Sequence, residues 1–289
     1  MASVRGERLD HLGLIAAVIK DVGLIDMLNA RLVPNEQEEI TPGEAMAGLI
    51  LNGLGFAPRP LSLPPQFFAH KPLDLLFRGG VRAEMLNRFQ LGRTLDEVSA
   101  YGCDLLCSEL ALPVCVQEGI ELRFHPLDTT SVSLSGDYVP ERDEQAMTMT
   151  HDYSKDYRPD LNQAVLELLV SQDGGVPLVS NSWEGHASDT QIFQERAKAL
   201  LATLQRSPTP RYLVADAKVY NEDNAANLRQ RGFLTRIPGT LKLVAQVLTQ
   251  ALTWDTWQRL EDTTRYERIE VGHYGRAQRW LVGLVAGRP

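Results

Sequence analysis

The chain has 289 residues, 44% of them hydrophobic and 23% charged, and a formal net charge of −8. That length can bury a full core in one large or two ordinary domains. The negative balance excludes a protein that grips nucleic acid by bulk charge alone. No run approaches the roughly 18 apolar residues of a membrane span. Met1–Glu7 also lacks the apolar stretch of a signal peptide, so a cytoplasmic protein with no membrane partner is expected. Cys103, Cys107 and Cys115 have the spacing of neither a zinc site nor a disulfide framework and are expected to be reduced. The charge is uneven: residues 1–205 carry 16 Lys and Arg against 29 Asp and Glu, whereas residues 206–289 carry 13 against 8. A basic rear suits an anionic partner lying against the C-terminal part.

In chain order, residues 9–32 have helical periodicity with an interruption near Gly23. Thr41-Pro42-Gly43-Glu44 starts a helix: Thr41 caps, Pro42 fits the first helical position and Glu44 completes a capping box. Prolines 58, 60, 64 and 65 break the pattern into a loop. Helical periodicity resumes from Ala83 to Leu110, with a stop and restart expected between Leu91-Gly92 and Thr94. Residues 1–115 are thus expected to be a helical N-terminal domain, suited to packing or recruitment.

The register changes after Pro113. Residues 122–138 alternate as a β-strand does, with Asp128 as its acid. A polar stretch over 149–163 follows. Ala164–Ser171 and Val176–Trp183 are two apolar runs joined by Gln172-Asp173-Gly174-Gly175, a hairpin turn signal. Ser188 and Gln191 bracket a second capping box, opening a helix through about Leu204 that Ser207-Pro-Thr-Pro210 ends. Tyr212–Ala215 reads as a strand leading into Asp216, Glu222–Arg231 as a helix closed by Gly232, and Phe233–Ile237 as a strand. Three strands, then helix, strand, helix, strand is the order of a ribonuclease-H-like α/β mixed sheet. In that order the first and fourth strands are neighbours, which places Asp128 beside Asp216. Two carboxylates on adjacent strands suit Mg²⁺ or Mn²⁺, hard ions that take oxygen ligands and share them with substrate phosphate.

The chain resembles the DDE-type insertion-sequence transposases of bacteria, in the large group whose ribonuclease-H-like core is interrupted by a β-rich insertion. The resemblance spans residues 9 to 282. It rests on the order and spacing of His125-Pro-Leu-Asp128-Thr-Thr-Ser131, Tyr153-Ser-Lys155-Asp-Tyr-Arg158-Pro-Asp160-Leu-Asn-Gln163, Gly175-Val-Pro-Leu178 and Trp183-Glu-Gly185-His-Ala-Ser-Asp189-Thr. Val214-Ala-Asp216-Ala-Lys-Val-Tyr220 and Arg236-Ile-Pro238-Gly-Thr-Leu complete the series. The resemblance implies metal-dependent cleavage and strand transfer at the ends of an insertion sequence, with Asp128 and Asp216 as catalytic and metal-binding acids. It implies double-stranded DNA, the element's terminal repeats, as partner, and a second copy or a full-length transposase beside it. Lys155, Arg158, Lys218 and Arg236 are the candidate DNA-binding residues, with phosphates as their targets.

Two positions depart from the pattern. Many relatives have Gly where Ala217 or Lys218 stands, and Asn where His186 stands. In the family the third acid, a Glu, follows the inserted β-domain. Residues 116–238 then correspond to the first part of the core and 239–289 to the beginning of the insertion, so the chain is expected to be C-terminally truncated. Glu267 and Glu270 alternate with apolar residues and are expected to face solvent. Arg265, Arg268, Arg276, Arg279 and Lys242 make up the basic rear. His125 is expected to pack at the strand edge rather than bind metal, and Trp183 is open between core and DNA path. An inactive remnant that only binds DNA or a full-length partner is the alternative reading; a general nuclease of the same fold is a third.

Overall fold

The computed structural model describes residues 6–35, 37–136, 160–184, 187, 191–192, 194–196, 212–227 and 232–285. The chain is mixed α/β and divides into two compact units. One comprises residues 1–119 with 177–180, and the other residues 120–176 with 181–289.

The first unit is helical. Helices α1 (Leu12–Asp21) and α2 (Leu24–Asn29) are separated at Gly23. This glycine takes the left-handed conformation at φ 69°, which other L-residues avoid. Helix α3 (Pro42–Gly53) begins with the expected capping box. The Glu44 amide donates to Thr41 Oγ1 at 3.2 Å, and the Thr41 amide donates to Glu44 Oε2 at 2.8 Å. Glu44 is buried and also meets the Arg78 guanidinium at 2.7 Å. A Cβ on Gly43 would stand 2.5 Å from the Ile25 carbonyl, so glycine there lets α2 and α3 approach closely. The proline-rich stretch contains two short helices, α4 (Pro64–Phe68) and α5 (Leu73–Leu76). Leu12, Ile40, Leu51, Phe68, Leu86 and Leu91 form the centre of this core.

The expected break at Leu91–Thr94 is absent. Helix α6 runs unbroken from Arg88 to Tyr101, and α7 from Cys103 to Gln117. Gly92 weakens a helix by roughly 1 kcal/mol against Ala, but Leu91 and Thr94 beside it are buried and their packing outweighs the penalty. The break falls at Gly102, where φ is 102° and the two helix axes diverge by 89°. Among the described residues no single helix is long and apolar enough to cross a membrane.

The second unit holds two sheets, save that residues 177–180 of one strand belong to the first unit. The larger has five strands, β1 (Phe124–Leu134), β2 (Asn162–Val170), β3 (Pro177–Glu184), β4 (Tyr212–Ala215) and β5 (Gly232–Thr235), in the order β3-β2-β1-β4-β5. β1 runs antiparallel to β2 and parallel to β4, and β4 runs parallel to β5. The turn between β2 and β3 lies where the glycine pair predicts it, with Gly174 and Gly175 at φ 70° and 61°. Ser171 closes it, its amide donating to the Val176 carbonyl and its hydroxyl accepting from the Val176 amide, both at 2.9 Å.

Burial alternates strictly along β2, with Gln163, Val165, Glu167 and Leu169 inside. Glu167 has no exposed surface. It is held by Arg196 through Nε at 2.6 Å and Nη2 at 3.0 Å, and accepts from the Trp183 indole at 2.7 Å. Trp183 therefore belongs to this buried polar group rather than to an open surface. Residues 191–192 and 194–196, Arg196 among them, are the described part of the helix expected after Ser188; Ser188 itself and residues 197–204 lie outside the described residues.

The smaller sheet contains β6 (Gln258–Arg259), β7 (Thr264–His273) and β8 (Arg276–Val285), in the order β6-β7-β8. A two-residue turn at Tyr274-Gly275, both at positive φ, joins β7 to β8, the geometry whose twist matches paired strands. The helix Lys242–Ala251 packs Val247 and Ala251 with Val271, Trp280, Val282 and Tyr220. Glu267 corrects an expectation: it shares its strand face with Ile269 and Val271, is half-buried, and leaves Oε2 enclosed. Period-two alternation counted from Ile269 predicts that face. Glu270, one step out of phase, is exposed and lies 3.5 Å from Arg279.

Candidate functional site

Parallel pairing sets the level of the candidate acids. Phe124, His125 and Pro126 of β1 stand opposite Tyr212, Leu213 and Val214 of β4, a constant offset of 88 positions. Asp128 and Asp216 each follow the last of these paired residues by two positions, the same 88 apart in sequence. Residues level with one another on neighbouring strands project to the same face. His125 and Leu213 are buried on one face; Asp128 and Asp216 are both exposed, on the face carrying Phe124 and Tyr212, whose rings stack at 5.2 Å. Asp216 directly follows the carboxyl end of β4, and Asp128 lies within β1, two residues beyond its parallel pairing with β4.

The surroundings hold both acids in place through backbone contacts. Asp128 Oδ1 accepts from the Thr129 amide at 2.8 Å, and the opposite residue on β2 is Leu168. The Asp216 carbonyl accepts from the Thr235 hydroxyl at 2.6 Å and from the Val219 amide at 3.3 Å. This contact ties the end of β4 to the end of β5. β4 and β5 pair with an offset of 20 positions, and that offset brings Arg236 level with Asp216. Asp216 and Arg236 thus each follow the last residue of their strand, whereas Asp128 lies within β1; all three are exposed.

The donor set fits a hard cation. Two carboxylates offer only oxygen, as Mg²⁺ and Mn²⁺ prefer, and an exposed position leaves the remaining sites to water and substrate. Among the described residues no group of three or more His, Cys, Asp and Glu assembles, so neither Glu267 nor Glu270 joins the pair. His125 is buried and shares its face with Leu127 rather than with Asp128.

Of the candidate DNA-binding residues, Arg236 is the one whose side chain is described. Lys218 lies in the 3₁₀ turn Ala217–Val219 directly after Asp216. Lys155 and Arg158, like His186, lie outside the described residues. That turn delivers Tyr220 into the smaller sheet's core. Its hydroxyl donates to Gln278 Oε1 at 2.7 Å and lies 2.9 Å from His273 Nδ1. Burial raises the Tyr220 phenol above its ordinary value, so it stays a neutral hydrogen-bonding group at neutral pH. The Tyr220 anchor was missed in the sequence; its signal was a lone aromatic four residues after an acid.

Residues 4–112 match a family described as a domain of unknown function (DUF4277). No curated protein matches the chain. Among solved structures the chain is similar to a piggyBac transposase in a synaptic complex with hairpin DNA. Identity is 11%, coverage is 99% of this chain and 64% of that chain, and the TM-score is 0.36. It is also similar to the Mos1 transposase in a paired-end complex with the left transposon end, at 11% identity, over 75% of this chain and 67% of that one, with a TM-score of 0.26. This chain therefore spans 64% of the length of the piggyBac chain.

Proposed function

We propose that the protein is a transposase of the DDE type, acting on the ends of a bacterial insertion sequence through a ribonuclease-H-like core. The observation that carries this reading is the parallel pairing of Phe124–Pro126 with Tyr212–Val214, beyond which Asp128 and Asp216, both exposed, each follow by two residues. The ordered motifs running from His125 to Leu241 support it. So does the strand order β3-β2-β1-β4-β5 with its parallel pairs at β1, β4 and β5.

In this reading Asp128 and Asp216 would be the residues that hold Mg²⁺ or Mn²⁺. The ion, when bound, polarises a DNA phosphodiester and lowers the pKa of an attacking water or 3′-hydroxyl. The chain's own part is positional. Strand pairing sets the separation of the carboxylates, the Thr129 amide fixes one oxygen of Asp128, and the Thr235 hydroxyl fixes the end of β4. Arg236, Lys218, Lys155 and Arg158 would receive phosphates of the duplex. A second copy of the chain or a full-length transposase brings the two element ends together.

The test is cleavage of labelled duplex carrying the element's terminal repeats, with Mg²⁺ or Mn²⁺. Metal-dependent cutting that disappears in both Asp128→Asn and Asp216→Asn is expected. Cutting that persists unchanged in both variants overturns the assignment. Two carboxylates leave the ion largely hydrated, so Mn²⁺ should bind the DNA-free chain at roughly millimolar concentration, measurable by calorimetry. Micromolar binding would require a further ligand.

A further inference from the structure

A groove of about 940 Å³ lies between β5, the edge strand of the larger sheet, and β8, the edge strand of the smaller one. Its lining contains Arg123, Arg268, Arg276 and Arg279 and no Asp or Glu, in a chain whose net charge is −8. Arg279 already has Glu270 at 3.5 Å, and Arg276 donates to the Ala225 carbonyl at 3.2 Å. Arg123 and Arg268 instead lie over aromatic rings. Arg123 stands 5.4 Å from the Phe124 ring centre and 5.9 Å from that of Tyr212, and Arg268 stands 5.8 Å from Tyr266. Phe124, Tyr212 and Tyr266 are half-buried, with part of each ring still open.

The stacked pair is held from below. A Cβ on Gly232 would stand 2.2 Å from the Tyr212 ring, so that ring lies flat across a glycine on the neighbouring strand. The result is an aromatic platform edged by cations. Apolar rings alone would suit a peptide or lipid, and arginines alone would suit any anion. Rings interleaved with guanidinium groups suit a ligand that alternates planar faces with negative charges, as single-stranded nucleic acid does.

We propose that this groove binds a single strand of DNA, its bases stacking on Phe124, Tyr212 and Tyr266 and its phosphates meeting Arg123 and Arg268. The assignment does not depend on the carboxylate pair, which lies four residues further along the same two strands, about 13 Å at ~3.3 Å per residue. That span covers about four phosphates of a stacked strand at 3.4 Å each. A strand seated on the rings would therefore extend towards the acids along one sheet face. Duplex DNA buries its base faces in its own stack and cannot use the platform.

The experiment measures anisotropy of a labelled 20-nucleotide strand, the same sequence as duplex, and polyglutamate, against the whole chain in EDTA. Tighter binding of the single strand than of the duplex is expected. Phe124→Leu and Tyr212→Leu should each weaken it roughly tenfold, within the range of one base–aromatic stack. Phe124→Tyr and Tyr212→Phe, which keep a ring, should restore it. Arg123→Gln and Arg268→Gln should each reduce the salt slope by about 0.7. Asp128→Asn and Asp216→Asn should leave single-strand binding intact whether or not they alter cleavage. Equal binding of duplex and single strand, indifference to the ring variants in chains with unchanged thermal melts, or polyglutamate binding as tightly as DNA would each overturn the proposal. So would loss of single-strand binding in the aspartate variants.

Discussion

The two faces of the five-stranded sheet treat acidic side chains in opposite ways. On one face Glu167 is fully enclosed, its two oxygens taken by Arg196 and the Trp183 indole. On the other, Asp128 stands exposed within β1 and Asp216 just past the end of β4. Glu167 pairs in register with Thr129, the residue next to Asp128, so one step along the chain separates the two regimes. A carboxylate that serves the fold brings its own counter-ion and donors, because a buried charge without them is prohibitively unfavourable. A carboxylate kept for a metal and a substrate must keep its lone pairs accessible. The contrast separates positions whose loss should unfold the protein from positions whose loss should silence it.

The largest expected effect tests the enclosed face. Arg196→Met leaves Glu167 buried without its guanidinium, and should destabilise the protein by about 3–5 kcal/mol, the usual penalty for breaking a buried pair. Denaturant unfolding reads this directly; an unchanged midpoint would mean that Glu167 escapes to water. The open face should respond in the converse way. Asp128→Asn and Asp216→Asn should lower metal-dependent cleavage by more than roughly 100-fold, exceeding what loss of a mere outer-shell partner produces, while leaving the thermal midpoint in place. Asparagine can still accept the Thr129 amide bond, so a large drop in midpoint would move Asp128 to the class of Glu167.

The helical unit offers smaller effects of the first kind. Thr41→Ala removes one half of the capping box and should destabilise by about 1 kcal/mol. Smallest is a pH effect at Glu109, whose carboxyl is held below its ordinary 4.5 chiefly by hydrogen bonding from Arg31, and next by the Tyr101 hydroxyl. A lowered folded pKa gives stability that is present above 4.5 and lost as pH falls through the lowered value. Wild type should therefore exceed Glu109→Gln at neutral pH, with the gap closing in acid. A gap that widens in acid would reverse the assignment.

What could be read from the sequence followed the range of the interaction. The Thr41–Glu44 box and the Gly174-Gly175 turn depend on residues within four positions of one another, and both stand where their local chemistry places them. The β4 strand Tyr212–Ala215 was legible because a short apolar run between prolines and an acid has few other uses. The Gly102 break was not, because Gly92 and Gly102 look alike until burial of Leu91 and Thr94 decides between them. Glu167 was overlooked although it stands inside the apolar run 164–170, where a lone charge at an inward period-two position signals a buried partner. The groove was beyond reach: Phe124, Tyr212 and Tyr266 come from three distant segments, and their meeting depends on pairing that no local rule encodes.

The constant offset between β1 and β4 has a consequence for how the chain tolerates changes of length. Matching the two acids requires only that each lie the same number of steps from a paired residue: Asp128 two beyond Pro126, and Asp216 two beyond Val214. Residues added to a connection between strands leave both counts untouched, and the entropy of closing a longer connection rises only slowly. A single residue inserted between Pro126 and Asp128, or between Val214 and Asp216, shifts one carboxylate by half a pleat and turns it toward the buried face. Insertional scanning should accordingly find two intolerant windows, each three residues wide, in a landscape where connecting segments accept extra length.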